Sequence, residues 1–243
     1  SYGFIIEKEN QKIGILETDY LEIETKVPDK SLGVIRAALS KALQTQYGLP
    51  IADKYRIRIE PNDDSNKSEI YLTLSSIGEV VSGEMRLWQP RDKDVEIETE
   101  MLLKLMVFLG EDQTKAIGKI KLNNDITEPV VNVVESKNGY ATLVFPYNKK
   151  QSWRYLGWAL DELGIDIEDR DSVDGSYYLK VQPEKGFFSK LLSATGSIES
   201  YQLYVKQTSD SSSKVYFVDL NQENKEETIE YSFQFFNAVS NKF

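Results

Sequence analysis

The residues best suited to chemistry in this sequence are acidic, and the densest group of them lies in one turn. Asp169, Asp171 and Asp174 precede Gly175, and carboxylate oxygens are ligands that Ca²⁺ prefers. The spacing departs from the calcium-loop template, because the Asp-Gly pair comes one residue late and Lys180 stands where a bidentate Glu is needed. We therefore expect a solvated hairpin turn here and predict no metal site.

A second segment has some of the composition of a phosphate-binding loop. It runs from Gly110 to Gly118 and Lys119. Seven residues separate the two glycines, whereas a phosphate loop has four between them, and Lys121 is not followed by Ser or Thr. The spacing therefore argues against a nucleotide-binding role.

Two carboxylate pairs, Glu7/Glu9 and Glu22/Glu24, are each separated by two positions on a predicted strand. Such a pair shares one face of a sheet, whereas glycosidase chemistry needs two carboxylates that converge from separate elements in a cleft. We interpret these pairs as a solvated face. A carboxylate-based hydrolase is an alternative function, and it would require a cleft that holds at least one Asp or Glu with a strongly shifted pKa.

The chain contains neither His nor Cys, and this excludes several kinds of chemistry. Imidazole and thiol catalysis, the Ser-His-Asp triad, the usual zinc sites and disulfides all need one of these residues. The net charge of −10 disfavours nucleic acid, because phosphate contacts need clustered Lys and Arg. We predict a non-enzyme that binds no nucleic acid, cofactor or metal.

The elements that would position these residues occur twice in the chain. A short strand, a polar turn ending in Gly and a second strand begin at Gly3 and again at Gly164, which predicts two hairpins. Alternation with a period of two then predicts a second hairpin in each half. These strands cover residues 54–60 and 68–74, then 200–206 and 214–220.

Capping residues, acidic helix starts and, in the last helix, apolar spacing predict two helices in each half. One closes each unit, at 95–109 and after Glu226, and another lies between the hairpins, at 32–47 and 186–193. The second half also carries a strand pair at 130–134 and 140–145, joined by an Asn-Gly turn, and an amphipathic helix at 152–163. The first half shows no counterpart of the 140–145 strand and the 152–163 helix, so we expect the natural protein to continue upstream.

These patterns predict an α+β protein of two tandem helix-grip-like domains, each an antiparallel sheet packed on one face by helices. The first domain is expected at 1–110, without its first strand and helix. A linker follows at 111–129, and the second domain covers 130–243.

Several segments, in this order, resemble the BamC (NlpB) family of lipoproteins over nearly the whole chain. They are Gly14–Asp19, Leu87–Arg91, Met101–Gly110, Trp153–Asp171 and Phe188–Leu192. The resemblance implies an accessory or scaffold subunit of the outer-membrane β-barrel assembly (BAM) machinery in a Gram-negative bacterium, attached by a lipid anchor and facing the periplasm or the cell surface. It also implies a partner lipoprotein, BamD, bound mainly through an N-terminal segment. That segment and the acylated Cys do not occur in this sequence.

Four apolar residues are candidates for partner contact: Trp88, Phe187, Phe188 and Leu191. Trp88 lies in a predicted Pro-flanked loop, and an exposed Trp is a frequent interface anchor, although a loop Trp folded onto its own domain is equally common. The other three occupy the position of a helix, so packing over the sheet is the simpler reading. Binding of a lipid or another hydrophobic ligand is an alternative function, because a sheet that grips a helix can be hollow. The many Tyr, Phe and Trp residues favour a filled core instead.

Overall fold

The computed structural model has two compact units, Ser1–Asn124 and Asp125–Phe243. The structure describes residues 3–23, 50–61, 66–82, 85–123, 130–181, 199–221 and 225–243. Each unit contains an antiparallel sheet with helices, which confirms the predicted α+β class and the two tandem sheet-plus-helix units. The helices predicted at 32–47 and 186–193 lie outside the described residues.

Unit 1 contains six strands and two helices within the described residues. The strands form a sheet in the order β1-β2-β4-β5-β6, with β3 paired to β4. Its elements are β1 (Ile6–Asn10), β2 (Ile15–Thr18), β3 (Leu21–Ile23), β4 (Ile51–Pro61), β5 (Ser68–Ser82), β6 (Met85–Arg91), α1 (Val95–Phe108) and α2 (Gln113–Asn123).

Helix α1 begins where an acidic side chain caps its free backbone donors. The Asp94 carboxylate accepts the N–H groups of Glu96 at 2.9 Å and Ile97 at 3.4 Å, as expected of an N-cap. The helix ends before Gly110, whose φ of 101° is accessible mainly to glycine. Asp112 caps α2 in the same way, and α2 occupies most of the stretch predicted to be a linker.

Among its described residues, unit 2 contains a sheet in the order β7-β8-β12-β11-β10-β9 and two helices. Its elements are β7 (Asn132–Glu135), β8 (Ala141–Phe145), α3 (Lys149–Glu162), β9 (Ile167–Asp171), β10 (Ser176–Val181), β11 (Glu199–Ser209), β12 (Ser212–Asp219) and α4 (Lys225–Ser240). The Asn-Gly turn joins β7 to β8 as predicted, with Gly139 at a φ of 89°.

The core of unit 2 is an aromatic cluster between the sheet and α4. Tyr201 and Phe217, from adjacent strands, have ring centroids 4.8 Å apart, and Tyr231 of α4 lies 5.2 Å from Tyr201. Phe235 and Phe236 are fully buried beside them. Aromatic rings bury large areas and prefer such offset and edge contacts, so this cluster supplies much of the apolar burial that holds α4 on the sheet.

Helix α3 packs over β11 and β12 with Trp153 as its main anchor. The indole stacks on Tyr177 at 4.8 Å, and the Tyr177 hydroxyl donates to the Trp153 carbonyl at 3.1 Å. Ser152 and Ser213, both fully buried, join the helix to β12 through a 2.6 Å contact between their hydroxyls. Trp153 and Leu160 of this helix are both buried, with exposures of 6% and 0%.

We predict that Leu203→Ala destabilises unit 2 by about 2–5 kcal/mol, because Leu203 is fully buried and truncation leaves a cavity. Leu220→Ala is the matched control, since Leu220 is 46% exposed, and its cost should stay within about 1 kcal/mol. Urea unfolding in a Trp88→Phe background measures both, because the remaining tryptophans lie in unit 2. Equal costs for the two variants would contradict this account of the core.

Candidate functional site

Trp88 lies in a strand, so the prediction of a Pro-flanked loop at this position is wrong. It belongs to β6, where it pairs with Glu79 of β5. Pro90 is compatible with this strand because β6 is at the edge of the sheet, where a missing N–H can face away from the neighbouring strand. The alternating apolar pattern that marks other strands is weak in Leu-Trp-Gln-Pro, which is why the sequence pattern did not reveal it.

Two large apolar side chains of β6 are exposed, Leu87 at 42% and Trp88 at 45%. Consecutive residues of a strand point to opposite faces, so Trp88 shares its face with Pro90 and Leu87 shares the other face with Gln89, and both of these neighbours are exposed as well. We call these four residues the β6 surface. An exposed Trp on an edge strand is a frequent interface anchor.

A second exposed apolar group lies at the turn between α1 and α2. Phe108 is 86% exposed, and Leu109 is 62% exposed. The turn is held by the ion pair between Lys119 and Glu111 and by Ala116, which is fully buried. The sequence predicted a helix over 95–109, which includes Phe108, but did not show that this side chain would be exposed at the helix end.

Phe187, Phe188 and Leu191, the other predicted contact residues, lie outside the described residues.

The interior of unit 1 holds a group of charged side chains on one face of its sheet. Glu17 of β2 receives a 2.9 Å bond from Nε of Arg56 and an ion pair from Lys54, both on β4. Burial tends to raise the pKa of Glu17, but Arg56 and Lys54 outweigh it and the pKa is lowered. Farther along β4, Arg58 is fully buried, pairs with Glu60 and lies 4.1 Å from the centre of the Tyr71 ring.

Asp53 is the described carboxyl group whose environment comes closest to that of a catalytic acid. Burial raises its pKa, against the effects of the Ser76 hydroxyl, which donates to Oδ1 at 2.6 Å, and of Arg91. Its Oδ2 has no hydrogen-bond partner among the residues that the structure describes. The side chain is only 1% exposed, so a substrate cannot reach it without an opening of the sheet face, and we interpret it as structural.

The acidic turn of unit 2 is closed by its own hydrogen bonds. Oδ1 of Asp171 accepts the N–H groups of Val173 and Asp174, both at 2.9 Å. The Lys149 ammonium group donates to the Val173 carbonyl at 3.0 Å, so a positive charge already lies at the turn. Within the described ranges, no group of three or more acidic residues is placed to hold a metal ion, and no helix there is long and apolar enough to cross a membrane.

The segment compared with a phosphate loop is helical instead. Gly110 ends α1, and Gly118 lies within α2. In a phosphate loop the backbone N–H groups donate to the ligand, whereas in α2 they donate to backbone carbonyl groups of the helix.

The fold defines a protein of two related units, each made of an antiparallel sheet and helices. The sequence model described as outer membrane protein assembly factor BamC-like C-terminal domain matches residues 131–240. Outer membrane protein assembly factor BamC of Accumulibacter regalis is 31% identical over 86% of this chain, and that of Thiobacillus denitrificans is 34% identical over 78%. An uncharacterised protein of Neisseria meningitidis is 27% identical over 78% of this chain.

These similarities show that the chain belongs to the BamC family. The matched regions are 58%, 53% and 49% of the lengths of those three relatives, so the chain spans about half of each.

We predict that Asp53→Asn stabilises unit 1 at neutral pH. The folded state raises the pKa of Asp53, so it binds the proton more tightly than the unfolded state. The contribution of Asp53 to the free energy of unfolding is therefore fully present below its unfolded pKa of about 3.9. It is lost as the pH rises through the pKa of the folded state. The melting temperature of the variant should exceed that of the wild type at pH 7, and the difference should disappear near pH 3. Asp92→Asn, at an exposed position, should show no such crossover.

We predict the opposite pH dependence for Glu17. Its pKa is lowered on folding, so its contribution is present above the unfolded pKa and is lost as the pH falls through the folded pKa. Glu17→Gln removes the buried carboxylate that pairs with the Arg56 guanidinium, itself 8% exposed, and should cost about 3 kcal/mol at pH 7. Calorimetry can compare it with Glu7→Gln, whose side chain is 59% exposed and whose cost should be within about 0.5 kcal/mol. Equal costs would contradict the role of this ion pair.

Proposed function

We propose that this protein is a non-catalytic accessory subunit of the outer-membrane β-barrel protein assembly machinery and acts through protein–protein contacts. The observation that carries the proposal is the similarity to two relatives named outer membrane protein assembly factor BamC, at 31% and 34% identity over most of this chain. We further propose that the whole protein is an outer-membrane lipoprotein that faces the periplasm or the cell surface. Its partners are other BAM subunits, chiefly BamD.

The described surface supports contact with a protein more than chemistry on a substrate. The carboxyl group with a raised pKa, Asp53, is closed off from solvent, and Glu17 is neutralised by Arg56 and Lys54. By contrast, Trp88 is exposed on an edge strand, and Leu87 is exposed on the opposite face of that strand. Tryptophan side chains supply a large share of binding free energy at interfaces, so the β6 surface is our proposed contact site in unit 1.

Phe187, Phe188 and Leu191 are our proposed contact residues in unit 2. This part of the proposal rests on the sequence pattern alone. The main docking of BamD is proposed to use a segment outside these 243 residues, so contacts of the two units themselves are secondary.

The proposal is tested by affinity capture from detergent-solubilised outer membrane with the full-length lipidated protein as bait. We expect recovery of the barrel-assembly subunits, identified by mass spectrometry, and a weaker signal with the 243-residue chain. Failure of the full-length protein to retain those subunits would overturn the scaffold function. Lipid that co-purifies with the 243-residue chain in that case would favour the alternative function, the binding of a lipid or another hydrophobic ligand.

We predict that Trp88→Ala in the full-length protein weakens binding of the subunit that contacts unit 1 by at least about tenfold, the usual effect of truncating an interface Trp. Trp88→Phe should restore part of the affinity, because it keeps an aromatic ring in place. Phe108→Ala removes another exposed aromatic side chain from the same unit and serves as the matched control. Unchanged binding by Trp88→Ala would remove the β6 surface from the proposal.

A further inference from the structure

The face of the unit 2 sheet opposite α3 carries a group of tyrosines and lysines. Val205 of β11 and Val215 of β12 are fully buried on the face that packs against α3. Successive residues of a strand point to opposite faces, so the neighbours of these two valines lie on the other face, where they are exposed or partly exposed. We call these neighbours the Tyr-Lys group: Tyr204, Lys206, Lys214 and Tyr216.

The two lysines of the Tyr-Lys group face each other across neighbouring strands. The register places Lys206 directly opposite Lys214, and Tyr204 directly opposite Tyr216. Like charges directly opposite each other destabilise a sheet. The Lys149 ammonium group adds a third positive charge, 6.0 Å from the centre of the Tyr204 ring. Positive charge is therefore concentrated at one place on a chain whose net charge is −10.

Among the residues that the structure describes, no carboxylate forms an ion pair with Lys206 or Lys214. The same face carries Asp169 on β9, but β9 is two strands from β11, which separates their backbones by about 10 Å. By contrast, Lys180 of β10 pairs with Glu168 at 3.8 Å. The two lysines of the Tyr-Lys group therefore lack the counter-charge that the lysine on the next strand has.

Protection of a sheet edge does not explain these lysines. Lysines on edge strands prevent pairing between sheets of different molecules, but β11 and β12 are the two central strands of the six-stranded sheet. The lysine pair has no such use there, and its repulsion costs stability. Local arrangements that cost stability are expected mainly at functional sites.

The equivalent position in unit 1 can be identified from backbone hydrogen bonds. The N–H of Ile59 donates to the Gly14 carbonyl, and the N–H of Val205 donates to the Gly175 carbonyl, both at 2.8 Å. Each bond joins the turn of the first hairpin to the strand that pairs with it. Ile59 is therefore the counterpart of Val205.

Unit 1 also has a like-charge pair at this position, but with its counter-charge inside the unit. Glu60 is the counterpart of Lys206, and it lies directly opposite Glu69. Glu60 pairs with Arg58 of the same strand. The counterpart of Arg58 in unit 2 is Tyr204, which carries no charge, so a counter-charge for the lysines is left for a ligand to supply.

We propose that the Tyr-Lys group binds an acidic segment of a partner protein. Two carboxylates of the segment would lie between Lys206 and Lys214, and its apolar side chains would pack over Tyr204 and Tyr216. In an extended segment, residues two apart share a face and lie about 7 Å from each other, a distance that the flexible lysine side chains can span. The inference rests on the proposed function, which is action through protein contacts, and adds the chemistry of one partner.

A protein segment fits this group better than a membrane surface or a nucleic acid. Both of those present many anionic groups over a long distance, and they repel a chain whose net charge is −10. The two tyrosines beside the lysines favour a protein, because tyrosine is enriched at protein interfaces and supplies contact area at a low cost in conformational entropy.

Repulsion within the lysine pair is tested without a ligand. Lys214→Gln removes one of the two charges and should raise the urea midpoint of unit 2 at low ionic strength, and the gain should shrink as NaCl screens the charges. Tryptophan fluorescence in the Trp88→Phe background follows this transition. Lys180→Gln, which removes the ion pair with Glu168, should not raise the midpoint. A midpoint that does not rise with Lys214→Gln would overturn the proposal.

Binding is measured by fluorescence anisotropy on the 243-residue chain with a labelled nine-residue peptide. The peptide has Glu at its second and fourth positions, Leu at its sixth and eighth and Ser elsewhere, and a control peptide has Gln in place of Glu. We expect the Gln peptide to bind at least about fivefold more weakly, and the double variant Lys206→Gln/Lys214→Gln to lose this preference. Lys180→Gln should keep the affinity within about twofold, since its charge is already paired.

Equal affinity for the two peptides, including no binding of either, would overturn the proposal, as would unchanged affinity of the double variant. Retention of the chain by phosphatidylglycerol vesicles that depends on Lys206 and Lys214 would also overturn it, because the ligand would then be a lipid surface. The test uses no assembly subunit. A failure here therefore leaves the proposed function intact, and a failure of the affinity capture does not alter the result of this test.

Discussion

An antiparallel sheet with one apolar face must have that face covered, and the two units meet this requirement to different degrees. In unit 2, Leu203, Val205 and Phe217 from adjacent strands form a continuous apolar layer under α3 and α4. Water excluded from this layer is the main source of stability for the unit. The serine hydroxyls that join Ser152 to Ser213, and Ser232 to the Ala141 N–H, then fix each helix at one position along the sheet.

The same strand pattern carries different chemistry in unit 1. The strand β4 places Arg56 and Arg58 on one face and Tyr55 and Ile57 on the other. The buried arginines are paired with Glu17 and Glu60, because an uncompensated buried charge is much more costly than a paired one. The two units therefore share a backbone arrangement, but the sheet face that carries tyrosines and lysines in unit 2, such as Tyr178 and Tyr204, carries a charged network in unit 1.

Much of this fold could be predicted from local sequence. The hairpins, α1, α3 and α4 follow from turn chemistry, alternation and caps such as Asp94, which act between residues close in the chain. The strand β6 and the helix α2 could not be predicted in this way. Trp88 and Pro90 interrupt the alternating pattern of an edge strand that is stabilised by pairing with β5. The helix α2 has a polar sequence, and Ala116 is its main buried residue. The exposure of Phe108 and the burial of Asp53 depend on contacts between residues that are far apart in the chain, so the local sequence pattern does not predict them.

The bond from Leu74 to Glu98 has a consequence for the solubility of the protein. An unpaired strand edge can template growth of a sheet from one molecule to the next, and β5 is fifteen residues long. Glu98 and its Lys93 partner place a charged pair against the strand at Leu74, and β6 covers the strand from Ser76 onward. The edge of β5 is therefore interrupted, and an interrupted edge is a poor template for the long, continuous strand pairing from which aggregates grow.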